Sequence, residues 1–205
     1  MLEKYINFNV SKWYTSLWLF KVIKEHFNCD KVLYPWCYVH ITPSLVFSNV
    51  IYVDSFKNTY KFYESIDVKE YVEKNKQYKE KSTYKFYQQD YSKDLKEELG
   101  SFDTIISQYW GFVWRDTKKY LKKWWILVCN NSHWDASMAS LDIDYKLIAV
   151  YNRKSDEKFT ISDKNLNEYL ILKKQIDNPK EILEKSMKGF WYTKSPSGYI
   201  FKKIN

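Results

Sequence analysis

The feature that most limits what this chain can fold into is a repeated alternation. Short apolar runs at 32–34, 50–53, 102–107 and 126–129 are each followed by a longer stretch with apolar residues at helical spacing. Runs of three to six largely apolar residues are too short for helices. Bounded by turn residues and separated by amphipathic segments, they read as buried strands of a parallel sheet joined by right-handed crossovers. The first strand is Lys31-Val32-Leu33-Tyr34, ending at Pro35, and the second is Val50-Ile51-Tyr52-Val53-Asp54. The third is Tyr84-Lys85-Phe86-Tyr87, the fourth Phe102 to Ser107, and the fifth Ile126 to Asn130. Tyr145 to Val150 and Tyr199 to Phe201 add two more.

Between them the spacing predicts an N-terminal helix from Ser11, as N-cap, to His26, and a first crossover helix over Pro43–Phe47. A lysine-rich surface helix is expected over 65–81, and a short helix over Ser92–Leu99 closed by Gly100. Further helices are expected over Val113–Lys123, 163–174 and 179–188. The expected architecture is a three-layer α/β Rossmann-like sandwich of about seven strands, mostly parallel, with a C-terminal antiparallel edge strand. No linker or repeat divides the 205 residues, so one domain is read. It has an N-terminal helical segment (1–28), a nucleotide-binding core (29–150) and C-terminal strands and helices (151–205).

Nine tryptophans stand against four glycines, where roughly fourteen glycines are ordinary for this length. Several tryptophans fall where glycine belongs. Trp36 follows Pro35 at a sharp turn, and Trp124-Trp125 sits between an expected helix and strand. Trp110, Trp134 and Trp191 are in doubt too, and Trp13, Trp18 and Trp114 with less force. Some bacterial lineages read UGA as glycine where a commonly applied table reads tryptophan. Conversion of all nine would raise glycine to about 6% of the chain. The other reading is that they are aromatics of the core or of a pocket wall.

Composition narrows the function classes. No apolar run is long enough for a membrane span and no secretory signal is seen, so a cytoplasmic location is expected. Three cysteines, Cys29, Cys37 and Cys129, make no disulfide framework. The net charge of +8 is compatible with an RNA partner, and the Tyr- and Lys-rich stretch 57–98 would be its surface. But only Arg115 and Arg153 are arginines, and lysine serves equally as a solvated face.

In parallel α/β sheets ligands bind beyond the C-terminal strand ends. Those ends carry Tyr34, Trp36, Cys37 and Tyr38 after the first strand and Asp54 after the second. Asp90 and Tyr91 follow the third, Ser107, Gln108 and Tyr109 the fourth, and Asn130 to Asp135 the fifth. Asp54 lies nineteen residues after Pro35, near the spacing at which an acidic side chain accepts ribose hydroxyls. Over residues 11–150 this series resembles the class I S-adenosylmethionine (SAM)-dependent methyltransferases. The Leu121-Lys122-Lys123-Trp124-Trp125 run is similar to that family's Leu-Lys-Pro-Gly-Gly approach to the fifth strand.

The resemblance implies SAM as cofactor, its methionine part on the turn of Tyr34, Trp36 and Cys37 and its ribose on Asp54. Asp90 and Tyr91 would meet the adenine, and Ser107 completes the implied set. Catalytic candidates are Gln108 and Tyr109, which could hydrogen-bond a methyl acceptor, and His133 as a general base that Asp135 could orient. The acceptor (RNA, protein or small molecule) and the oligomeric state are left open. The sequence departs from the family at the first turn, which lacks its acidic residue and its Gly-x-Gly-x-Gly. That departure favours the alternative, a non-catalytic Rossmann-like protein that binds a nucleotide or a partner, RNA included. Cys37-x2-His40 and Cys129-x3-His133 have ligand-like spacing, but the fourth strand separates them and no metal site is assigned.

Overall fold

The computed structural model describes residues 1–12, 15–108, 113–132, 134–155, 157–186 and 188–205. Eight strands form one sheet: β1 Lys31–Pro35, β2 Asn49–Asp54, β3 Thr83–Gln88, β4 Phe102–Ser107, β5 Leu121–Cys129, β6 Tyr145–Ser155, β7 Lys158–Ser162 and β8 Gly198–Lys203. The order is β3-β2-β1-β4-β5-β8-β6-β7. Strands β1 to β5 pair in parallel, β8 runs antiparallel to both β5 and β6, and β7 pairs antiparallel with β6. The helices are α1 Leu2–Tyr5, α2 Leu17–Phe27, α3 Pro43–Val46, α4 Thr59–Glu64, α5 Ile66–Asn75, α6 Val113–Thr117, α7 Asp135–Leu141 and α8 Pro179–Ser186.

The central strands are largely apolar because both faces are covered. Val32, Tyr34, Val50, Tyr52 and Val128 point into one core with α2, α3 and α5. Their neighbours Leu33, Ile51, Val53, Leu127 and Cys129 point into the other, with Trp114, Ala136, Met138 and Leu183. That is the period of two expected of a sheet between helical layers. The antiparallel edge is β7, an eighth strand that the sequence reading missed. Lys158-Phe159-Thr160-Ile161-Ser162 carries the alternation that could have revealed it. The C-terminal strand β8 lies inside the sheet.

Several expected helices are corrected. The N-terminal helix begins at Leu17, not Ser11, because Ser16 is left-handed (φ 53°) and interrupts it. Before it, Ile6–Val10 is a π-helical turn, and Ser11 closes that turn. No helix forms over Ser92–Leu99. The Ser92 amide goes to Asp90 Oδ1 (2.9 Å) and the Leu95 amide to Tyr120 Oη (2.7 Å), so neither is available to a helix. Gly100 still supplies its left-handed turn (φ 61°). The segment at 113–123 is helical only to Thr117, with one 3-10 turn before β5 starts at Leu121. The stretch 163–174 holds a 3-10 helix over Leu166–Leu170 alone.

Trp124 therefore lies within a strand and not at a helix cap. The β4–β5 register moves from Phe102↔Leu121 to Thr104↔Ile126, so β5 bulges between them. Trp124 sits in that bulge with φ 72°, the left-handed residue that bulges commonly supply with glycine. Its side chain is 59% exposed, so little packing opposes the backbone cost. Left-handed backbone costs a non-glycine residue roughly 1–2 kcal/mol. Trp124→Gly is expected to stabilise the fold by about 1 kcal/mol, a rise of about 3 °C in melting temperature. Calorimetry checks this; a fall in melting temperature would show that the bulge needs the indole.

Candidate functional site

At the C-terminal end of β1 the chain turns through two left-handed residues, Trp36 (φ 57°) and Tyr38 (φ 43°). The turn is held from β2. The Trp36 amide donates to Val53 O (2.7 Å), and the Tyr38 amide donates to Asp54 Oδ2 (2.7 Å). Asp54 Oδ1 accepts the Phe56 amide (2.7 Å). One carboxylate thus braces the turns after β1 and β2. It is 4% exposed, and burial pushes its carboxyl above the ordinary range against the pull of the two amides.

Beside this turn is a mostly apolar cavity of about 360 Å³, lined by Phe8, Asn9, Trp36, Tyr38, Val39 and His40. The N-terminal segment supplies one wall, a contribution that no motif announced. Phe8 meets Tyr38 edge-on (5.8 Å between ring centres), and Tyr38 meets Phe56 likewise (5.3 Å). The Trp36 indole stands edge-on to Tyr91 (5.9 Å), which brings the residues after β1 and β3 together. Asp90 is partly exposed, and its carboxyl is lowered by the hydrogen bonds it accepts from Ser92.

Two residues expected at this turn look inward. Tyr34 is buried, and its hydroxyl meets His40 Nδ1 (2.8 Å) while His40 Nε2 meets the Thr15 carbonyl (2.9 Å). A carbonyl only accepts, so Nε2 carries the hydrogen and Nδ1 accepts from Tyr34. Cys37 is buried with its thiol on Val53 O, and burial raises it well above the ordinary thiol range, so it is no nucleophile.

A second polar group closes the ends of β4 and β5. Ser107 Oγ donates to Asp135 Oδ2 (2.9 Å), and both residues are buried. Asn130 Nδ2 donates to the Gln108 carbonyl. Asn131 Oδ1 accepts from the Ser137 amide (3.0 Å) and Oγ (2.8 Å), and Asn131 Nδ2 donates to Phe190 O (3.0 Å). Asn131 therefore ties the start of α7 to the 188–192 segment, which is the capping role that such a cluster also allows. A cavity of about 580 Å³ opens here, lined by Asn130, Ser132, Trp134, Lys188, Phe190 and Trp191 among others. Tyr109 and His133 lie outside the described residues.

The tryptophans divide by backbone. Trp36, Trp124 and Trp134 (φ 57°) are left-handed, sharing that region with four asparagines. Trp125 has a strand backbone inside β5. Trp114 is 1% exposed and packs edge-on against Tyr145 (5.2 Å), as a core aromatic does. Trp18 lies on α2 under Lys21, and Trp191 is exposed. Trp13 and Trp110 lie outside the described residues.

No protein-family model and no curated protein matches the chain. Solved structures do. A tRNA (m1A58) methyltransferase from Aquifex aeolicus matches 92% of this chain and 69% of its own at 12% identity, with a TM-score of 0.49. A putative S-adenosyl-L-methionine-dependent methyltransferase from Methanococcus maripaludis matches 93% and 86% at 12% identity, with a TM-score of 0.48. The [4+2]-cyclase SpnF matches 56% of this chain at 12% identity with a TM-score of 0.41; the chain spans 44% of that protein. These are likenesses of fold. The chain has a Rossmann-like α/β fold, visible in its own strand order, parallel β1 to β5 and antiparallel β8. Among the described residues no helix is long and apolar enough to cross a membrane.

Proposed function

We propose that the protein is a SAM-dependent methyltransferase, its acceptor unidentified, with the cofactor on the turns after β1 and β2. The observation that carries this reading is the brace itself. A carboxylate at the end of β2 holds the β1 turn beside a cavity of about 360 Å³ at the ligand-binding end of the sheet. Both Asp54 oxygens already accept an amide, yet each keeps a second lone pair that a ribose hydroxyl can use. Tyr91 supplies an aromatic face for the adenine, with Asp90 beside it. The Trp36 indole forms one wall of the cavity, and removing it widens the site. The donor set fits SAM with glycine at that position. Bound there, SAM supplies an activated methyl group, and the protein's work is to hold an acceptor in line with it.

Glycine at 36, 124 and 134 is the second part of the reading. Three left-handed tryptophans in one chain are explained together if the protein made in its own host carries glycine there. Peptide masses from the native source test this, and tryptophan at all three positions would sink it.

The cofactor assignment is tested by thermal shift. S-adenosylhomocysteine at a hundred times its dissociation constant should stabilise the Trp36→Gly protein by about 2.7 kcal/mol, and NAD should not. No shift in a folded protein would favour the second reading, a non-catalytic protein that binds another nucleotide or a partner. The near-complete burial of Asp54 is what speaks for that second reading.

A further inference from the structure

Asn9 is 9% exposed and lies on the wall of the cavity beside the β1 turn. Its carboxamide makes no hydrogen bond among the described residues. A buried polar group without a partner destabilises the fold that holds it, so such a group needs a reason. The segment that carries Asn9 is fixed without its help. The Leu2 amide donates to Asp67 Oδ2 on α5 (2.9 Å), and Tyr5 Oη meets Thr42 Oγ1 (2.8 Å). The Ser11 amide closes the π-helical turn on the Ile6 carbonyl (2.8 Å). Phe8 and Asn9 of that turn both line the cavity. Single π-helical turns frequently stand at functional sites.

The cavity lining contains no lysine, arginine or carboxylate. Burial keeps the Cys37 thiol protonated and the His40 ring neutral at neutral pH, and both ring nitrogens of His40 are already engaged. A ligand group that enters here therefore carries no net charge, and to satisfy Asn9 it presents an acceptor and a donor together. SAM has two such ends: the adenine edge, and the amino-acid end, whose carboxylate and ammonium cancel. Tyr91, the aromatic face for the adenine, touches Trp36 but does not line the cavity. We infer that Asn9 binds the amino-acid end of the cofactor, Nδ2 donating to the carboxylate and Oδ1 accepting from the ammonium. This rests on the cofactor reading above. It adds to the site a residue that precedes the stretch 11–150, where the strand-end motifs lie.

The test is calorimetry with two probes on protein carrying glycine at position 36. One is S-adenosylhomocysteine. The other is methylthioadenosine, which keeps the adenosine and the sulfur but has no amino-acid end. Asn9→Ala should weaken S-adenosylhomocysteine by about tenfold or more, the worth of a hydrogen bond to a charged group, and leave methylthioadenosine within about twofold. Asn9→Leu, close in volume but without the amide, should do the same. Neither variant should lower the melting temperature of the unligated protein, because no hydrogen bond is lost, whereas a structural asparagine would lower it. Unchanged binding of S-adenosylhomocysteine by the folded variants overturns the assignment and leaves the cofactor reading standing. Equal losses for the two probes overturn it as well, since Asn9 would then serve the adenosine end. A parent protein that binds neither probe removes the cofactor reading, and the role of Asn9 with it.

Discussion

Lowering the pH from 6.5 towards 4 should remove about 3 kcal/mol of stability through His40 alone. Burial drives this histidine down from 6.5 to about 4, because the ring is 3% exposed and its charged form would lose its hydration. The folded value lies below the unfolded one. The unfolded chain therefore takes up the proton first as pH falls, and stability present above 6.5 is lost by about 4. Charging the ring would also put a hydrogen on Nδ1, which now accepts from Tyr34, and would break the link between β1 and Thr15. Many carboxylates titrate in the same window, so the measurement is a difference. Urea unfolding of the protein and of His40→Gln is compared at neutral pH and near pH 4.5. Glutamine can donate to Thr15 and accept from Tyr34 without titrating. The variant should lose distinctly less stability, and equal losses would show that His40 is not the acid-sensitive group.

Asp54→Ala should cost about 3 kcal/mol, because two short, part-buried amide bonds to one carboxylate are lost. The larger consequence is for binding. Tyr38 is left-handed and depends on Asp54 Oδ2 to stay so, and releasing it frees the turn that lines the cavity. SAM binding should be lost in Asp54→Ala. Asp54→Asn, which can still accept one of the two amides, should recover part of the stability. Denaturant curves and a SAM titration on all three proteins, each with glycine at position 36, check this. A well-folded Asp54→Ala protein that binds SAM unchanged would remove Asp54 from the cofactor site.

The parallel half of the sheet was legible because its signal is local. Both faces of β1, β2, β4 and the second half of β5 are buried, so each reads as a short, largely apolar run, and the five expected parallel strands coincide with observed ones. The helices were less legible where side chains compete for backbone amides. Asp90 and Tyr120 take the amides that a helix over Ser92–Leu99 would need. Trp124 was rightly singled out as standing where glycine is natural, but for the wrong local reason. A bulge depends on the register with β4, which sequence alone does not show. Asp54 was singled out in the sequence by its spacing, but its hold on the Tyr38 amide was not legible there. The Tyr151–Gly198–Gln108 contact joins residues on β6, β8 and the end of β4, and no short motif encodes it. Asn130 to Asp135 likewise gave a polar cluster in the sequence, but not the tie of Asn131 to Ser137 and Phe190.

The most direct measurement is a calorimetric titration of SAM into the protein with glycine at position 36, beside the same protein with tryptophan there. The account predicts saturable one-to-one binding to the glycine form, at least about tenfold weaker or absent with tryptophan, a difference of about 1.4 kcal/mol or more. Two folded proteins that both fail to bind SAM would contradict it and leave a Rossmann-like fold serving another ligand.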